Sequence, residues 1–167
     1  MFGIGEYTFA PYRVAWKRMA GDLVAAVLAT WHTPYGDRLL VPTDTTAFIP
    51  ADDESEAHYL AALLNSTPVR AYVKSYSSPG RGFGAPAIVR EIQIPKYDPA
   101  NALHVRLATI GRAAAAAASK EDPTTADILT EMIKALDQAV AELYGITDKE
   151  LRGVLKTEVA PGPLRLH

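Results

Sequence analysis

The sequence predicts an α/β (α+β) fold: a mixed sheet with short helices, followed by a C-terminal helical hairpin. Two observations favour this class. Before residue 50, apolar and polar residues alternate in several short runs, which is the period of a half-buried strand. Beyond residue 98, apolar residues recur every three or four positions along two long stretches, as in amphipathic helices. We therefore predict an α/β domain over residues 1–97, a helical hairpin or spacer over 98–155 and a disordered tail over 156–167.

The strands are predicted from short runs that end at turn residues. In "YRVAWK" (12–17), aromatic and aliphatic residues alternate with Arg13 and Lys17, so one face is expected to be apolar and the other basic. Further candidates are a buried strand at 23–31, whose alanines also allow a helix, a turn at 32–38, and short strands at "LLVP" (39–42) and "TTAFIP" (45–50).

Two short helices are predicted after the strands. Asp53 can cap the first, with Glu56 completing a capping box. Asn65 can end that helix, and Ser66 or Thr67 can cap a second one that has a proline in its first turn. The alternation in 88–94 then predicts one more strand, ended by a proline.

The helical hairpin is predicted from its caps and its apolar stripes. Asp98 can cap the first long helix, which contains six consecutive alanines at 113–118. Gly145 is a plausible end of the second, and Thr147 with Glu150 forms a capping box for a short last helix.

Bulk composition is that of an ordinary globular protein. The 167 residues are 49% hydrophobic and 22% charged, with a net charge of −2 and no cysteine. No apolar run approaches the roughly 18 residues needed to cross a membrane, and the first residues do not resemble a signal peptide. We expect a cytoplasmic protein, since an absence of cysteine fits a reducing compartment.

The near-neutral charge hides a segregated pattern. Residues 11–21 hold Arg13, Lys17 and Arg18 and no acid, and residues 65–90 hold four cations and again no acid. Such segregation can build a basic face on a neutral protein. The alternative is that these are scattered, solvated surface charges.

The glycine-rich stretch "GRGFGA" (80–85) is a poor match to a nucleotide cradle. A dinucleotide-binding loop has a strand before its glycines and a helix after them, and here the predicted order is reversed. The lysine and hydroxyl residue of a P-loop are also missing. The remaining interpretations are an exposed loop whose Ser77, Ser78 and Arg81 touch a sugar-phosphate backbone, or a turn that needs glycine.

Catalytic and metal-binding patterns are not visible in the sequence. The four histidines have no paired metal spacing. The "GIG" at 3–5 superficially resembles a glycine motif for S-adenosylmethionine, but no preceding strand could support it. We expect neither a metal nor a cofactor to bind this chain.

Four stretches resemble a known family. "GEYTFAPYRVAWKRMAG" (5–21) resembles the opening of the target-recognition domain that follows the catalytic domain in adenine-specific DNA methyltransferases of bacterial restriction-modification and phage-defence systems. "HYLAALLNSTPVRAYV" (58–73) and "FGAPAIVREIQIPKYD" (83–98) are similar to later parts of such domains, the former also to type I specificity subunits. "LDQAVAELYGITDKEL" (136–151) resembles the helical end of many restriction-modification enzymes. The resemblance covers residues 5 to about 155, and its first and last stretches are the most specific.

This resemblance implies a DNA sequence-recognition domain without its catalytic half. The chain has no Asn-Pro-Pro-Tyr tetrapeptide and no S-adenosylmethionine-binding fold, so by itself it is not expected to be an enzyme. S-adenosylmethionine is expected to bind in the catalytic domain or subunit. The implied partners of this chain are that catalytic domain or subunit and double-stranded DNA. The competing interpretation is a protein-interaction or scaffold module that uses its helical hairpin without contacting DNA.

The candidate DNA contacts are basic and hydroxyl side chains, because phosphate contacts position such a domain and base contacts specify its sequence. They are Arg13, Lys17, Arg18, Arg70, Lys74, Ser77, Ser78 and Arg81. A continuous positive surface joining residues 13–18 to 70–81 would favour DNA, and dispersed charges would favour the interaction module.

Overall fold

A three-stranded antiparallel sheet, a separate two-stranded ribbon and five α-helices make up the described part of the chain. The computed structural model describes residues 5–76, 92–120 and 124–157. The strands are β1 (Tyr12–Lys17), β2 (Ala25–Leu28), β3 (Thr30–Thr33), β4 (Gly36–Leu39) and β5 (Thr46–Ala51). The helices are α1 (Glu54–Asn65), α2 (Thr67–Tyr76), α3 (Ala102–Ala118), α4 (Thr125–Tyr144) and α5 (Asp148–Thr157), and a short 3-10 helix covers Glu6–Phe9. The predicted α+β class and the two long helices are confirmed.

The central strand β1 is buried on both faces. It pairs with β2 on one side and β5 on the other, so that Val14 lies beside Val27 and Ile49. That face packs on α1, as predicted for the apolar side. The predicted basic face is wrong, because Arg13 and Ala15 are also buried and Lys17 alone among that set is exposed.

The 3-10 helix accounts for the burial of the second face. The rings of Tyr7 and Phe48 lie 5.9 Å apart, between the 3-10 helix and β5. The carbonyl oxygen of Thr8 accepts a hydrogen bond from Arg13 of β1. A segment outside the sheet therefore covers residues whose alternation suggested a solvent-facing surface.

The remaining strand predictions are partly confirmed. The 23–31 run forms the two short strands β2 and β3, and neither a helix nor one buried strand, since Trp31 is 61% exposed. Of the turn predicted at 32–38, only residues 34 and 35 lie between β3 and β4. The "TTAFIP" candidate is β5. "LLVP" contributes only Leu39 to a strand, since Leu40 and Val41 are exposed and have no neighbouring strand.

The helix caps follow the sequence with two exceptions. The capping box predicted for α1 is incomplete, because Asp53 accepts from the Ser55 and Glu56 N–H groups but the Glu56 side chain makes no return hydrogen bond among the described residues. Asp53 caps α1, Gly145 ends α4 in the left-handed conformation with φ 65°, and the Thr147–Glu150 box precedes α5. Asp98 is not the cap of α3. It stabilises the preceding turn through the Ala100 N–H, and Asn101 caps the helix instead.

The predicted strand at 88–94 is wrong in its described part. Residues 92 and 93 form a turn in which Gln93 has φ 49°, a left-handed conformation incompatible with a strand. Ile92 is buried and Ile94 packs partly against the core. Their alternation therefore comes from two side chains that contact the core on either side of Gln93, and not from a strand. Nearby, the Tyr59 hydroxyl donates to the Pro95 carbonyl oxygen at 3.0 Å. Residues 77–91 lie outside the described residues, as do 1–4, 121–123 and the rest of the predicted tail from 158 onward.

The hydrophobic core is continuous from the sheet to the hairpin. Helix α1 lies between them and is buried throughout 57–64. One cluster of buried side chains joins Val14 of β1, Leu63 of α1, Leu107 of α3 and Val140 of α4. The predicted boundary at residue 97 therefore does not separate two cores, and the hairpin is a structural part of the domain.

The crossing of α3 and α1 depends on Gly111. A Cβ atom at this position in α3 would lie 2.5 Å from the carbonyl oxygen of His58 and 3.0 Å from Cβ of Ala62, both in α1. Because the nearer atom belongs to the backbone, a side chain would push the helices apart.

Substituting this glycine should lower stability. We expect Gly111→Ala to reduce the free energy of unfolding by about 1–3 kcal/mol through overpacking. The matched control is Gly153→Ala in α5, where nothing lies within 4 Å of the added Cβ. It should raise stability by up to about 1 kcal/mol, since alanine is the better helix former. Urea unfolding measures both changes, and equal stability of the two variants would contradict the close crossing.

Candidate nucleic-acid interface

Arg13 is a core residue in this structure. Its side chain is fully buried, and Nη1 donates to the Thr8 carbonyl oxygen at 3.2 Å. Nε and Nη2 are buried without a hydrogen-bond partner. Burial lowers the pKa of Arg13, although arginine stays charged in proteins. In this position Arg13 joins β1 to the 3-10 helix and offers no surface to a phosphate.

Lys17 and Arg18 are exposed where β1 ends. Arg18 is held in place because its N–H donates to the Thr45 carbonyl and its Nη1 donates to the Asp44 carbonyl at 3.1 Å. Neither side chain forms an ion pair with a carboxylate among the residues that the structure describes. These two adjacent cations can therefore attract an external anion.

Arg70 and Lys74 share a carboxylate on α2. Arg70 is 4% exposed, and its guanidinium contacts both carboxylate oxygens of Asp22, with Nε 3.1 Å from Oδ1. Lys74 Nζ lies 3.5 Å from the same Oδ1. Asp22 follows directly after the acid-free segment 11–21, so the sequence pattern did not reveal that it neutralises this pair. The two cations anchor α2 to the segment between β1 and β2.

Asp137 of α4 caps α2 from across the domain. Its Oδ1 accepts a hydrogen bond of 2.7 Å from the Thr67 N–H, and the residue is 2% exposed. Burial raises the pKa of this carboxyl, while the Thr67 hydrogen bonds and the charge of Arg70 act in the opposite direction. A buried carboxylate at a helix N-terminus accepts hydrogen bonds from N–H groups that have no partner within the helix, and its negative charge interacts favourably with the positive end of the helix dipole.

The predicted contacts separate into two groups. Lys17 and Arg18 lie together on the surface, whereas Arg13 and Arg70 are buried and Lys74 pairs with Asp22. Ser77, Ser78 and Arg81 lie outside the described residues. Consequently, residues 5–76 do not join 13–18 to 70–74 as one positive surface.

Arg38 is an exposed cation of the sheet region that the sequence reasoning did not select. Arg38 of β4 lies opposite Trp31 of β3 and makes no ion pair with any described residue. The alternation in "TWHT" and "GDRL" was the available signal, because it places Arg38 and Trp31 on one face of the hairpin and Asp37 on the other.

Comparison with known proteins identifies no relative. No family model, curated protein or solved structure matches the chain. Within the described residues, no three His, Asp or Glu side chains gather in a way that could hold a metal ion. No helix in that part of the chain combines the length and apolarity that a membrane span requires.

The buried Asp137 should make stability depend on pH. Since its pKa is raised in the folded state, the folded chain holds more protons than the unfolded chain between the usual 3.8 and the raised value. The contribution of this group to stability therefore falls as pH rises through that window. The free energy of unfolding of the native chain, minus that of Asp137→Asn, should decrease as pH rises through this window and become constant above it. Urea unfolding of both chains from pH 4 to 7 tests this, and a difference independent of pH would contradict it.

Proposed function

We propose that this chain is the sequence-recognition domain of an adenine-specific, S-adenosylmethionine-dependent DNA methyltransferase or restriction-modification enzyme. The observation that carries the proposal is the pair of exposed cations, Lys17 and Arg18, at the end of the strand with the most specific family motif. The resemblance also coincides with the elements that build the fold. "YTFAPYRVAW" covers most of the 3-10 helix and of β1, "LNS" forms the junction of α1 and α2, and "LYGITDKEL" forms the end of α4 and the start of α5.

In this proposal the chain binds the duplex and selects its sequence, and it does not catalyse the methyl transfer. An enzyme that acts on an adenine inside a duplex must extrude the base, which requires the rest of the duplex to be held. Lys17 and Arg18 contact phosphates, and side chains on loops and strand ends read base edges. A catalytic domain or subunit binds S-adenosylmethionine and flips the base, and the assembly acts in the cytoplasm on double-stranded DNA.

The helical hairpin supports a second candidate function, contact with another protein. Ile128 at the start of α4 is 46% exposed, and the half-buried Leu129, Met132 and Ile133 continue its apolar face. Together with the dispersed cations of the sheet, this face favours an interaction module. The two functions are compatible if the hairpin docks onto the catalytic subunit.

Removing the exposed cations tests DNA binding. We expect the double variant Lys17→Ala/Arg18→Ala to weaken binding to a mixed-sequence 30-base-pair duplex and to reduce the salt slope by about two, one for each phosphate contact. Fluorescence anisotropy between 50 and 200 mM KCl measures both quantities.

The matched control is Lys149→Ala/Arg152→Ala, which removes the same charge from the exposed side of α5. This control should leave the salt slope close to that of the native chain. An equal effect of the two double variants would show that binding depends on overall charge and not on Lys17 and Arg18 as contacts. Absence of duplex binding by the native chain would overturn the proposed function.

A further inference from the structure

The β3–β4 ribbon stands apart from the three-stranded sheet. Its strands pair only with each other among the described strands, with Trp31 opposite Arg38 and His32 opposite Asp37. Trp31 is 61% exposed and Tyr35, at the tip, is 89% exposed. Neither side chain contributes to the core, and tryptophan and tyrosine are enriched at interfaces.

The turn at the tip of the ribbon has a constrained conformation. A two-residue loop of Pro34 and Tyr35 joins the strands, and Gly36 adopts φ 100°, which favours glycine. The Thr33 hydroxyl donates to the Gly36 carbonyl at 2.6 Å and accepts from the Tyr35 N–H at 3.2 Å. Tyr35 is therefore presented on a constrained turn, which reduces the entropy lost on binding.

The two faces of the ribbon differ in charge. Residues opposite each other share a face, so Trp31 and Arg38 lie on one side, and His32 and Asp37 lie on the other. His32 Nδ1 and Asp37 Oδ1 are 2.7 Å apart. These two side chains border a hollow whose other lining residues include Pro11 and Tyr12, and both remain largely exposed. The Trp31–Arg38 face is also exposed, and it carries a guanidinium and no acid, whereas the opposite face carries the Asp37 carboxylate.

We propose that the Trp31–Arg38 face of this ribbon enters the major groove of duplex DNA. This assignment rests on the proposed function and adds the element that reads the sequence. The major groove is about 12 Å wide and accepts a two-stranded ribbon, whose strands lie about 5 Å apart. Arg38 donates to the acceptors of guanine, while Trp31 and Tyr35 make apolar contact with thymine methyl groups and sugars.

The placement of the other exposed cations agrees with this docking. The ribbon follows β2, whose last residue pairs with Arg13 near the start of β1. Lys17 and Arg18 lie at the opposite end of β1. A six-residue strand spans about 16 Å, less than half of a turn of duplex DNA at about 34 Å. The ribbon can therefore occupy the groove while Lys17 and Arg18 reach a flanking phosphate.

Trp31 supplies its own signal for a test. The chain has two tryptophans, of which Trp16 is 4% exposed, so a collisional quencher acts mainly on Trp31. Acrylamide quenching of the full chain should decrease when a mixed-sequence 30-base-pair duplex is added at 50 mM KCl. Arg38→Ala should weaken binding about tenfold to the duplexes that the native chain selects from a randomised 30-base-pair library, because one good base contact is lost there. Arg152→Ala, an equal change on α5, should alter it less than twofold.

The possible outcomes distinguish failure of the ribbon proposal from failure of the proposed function. Duplex binding that leaves Trp31 quenching unchanged and is insensitive to Arg38→Ala would overturn the ribbon while the proposed function survives. Failure of the native chain to bind the duplex overturns both. If Trp31→Ala abolishes self-association in sedimentation velocity and leaves duplex affinity unchanged, the ribbon is a protein contact and the proposal is wrong. Circular dichroism of each variant confirms that its fold is intact.

Discussion

The three-residue junction between α1 and α2 is the constraint on which the rest of the structure depends. Asn65 pairs with β2 like an additional strand residue, because its Nδ2 donates to the Ala25 carbonyl and its Oδ1 accepts from the Ala25 N–H, both at 2.8 Å. The hydroxyl of the buried Ser66 donates to the Leu63 carbonyl, and the Thr67 N–H binds Asp137. Sheet, both short helices and hairpin thus meet at one point. Since buried polar groups are costly when unpaired, a chain that lost one of these partners would loosen several elements at once.

Charge in this molecule is divided between holding the fold and facing solvent. Arg13 is buried with two of its nitrogen atoms unpaired, and Arg70 is buried against Asp22. Buried charges of this kind restrict geometry more than they add stability, because desolvation offsets much of the attraction. The cations of the sheet region that stay exposed, Lys17, Arg18 and Arg38, are fewer than a linear scan of the basic segments suggests. Binding to an anionic partner would consequently depend on a small number of well-placed contacts and be sensitive to single substitutions.

The two ends of the fold offer different surfaces. The sheet end carries exposed cations and the aromatic ribbon, which suit a polyanion with apolar patches between its charges. The hairpin end carries an alanine-rich helix beside the apolar start of α4, which suits another protein. Because one core joins the two ends, a partner bound at the hairpin would hold the three-stranded sheet at a fixed distance and angle. That arrangement is what a recognition domain needs if its catalytic partner is to act at a set position on DNA.

Much of the local structure of this protein follows from short-range sequence signals. The caps at Asp53 and Gly145, the break after Asn65 and the alanine-rich helix all follow from short-range propensities, which act within a few residues. Tertiary structure alone decided which polar residues are buried. Arg13 is covered by a segment that no strand period reveals, Asp137 finds Thr67 across 70 positions, and Asp22 neutralises Arg70 across 48. Burial depends on what packs against a face, and that is a property of distant parts of the chain.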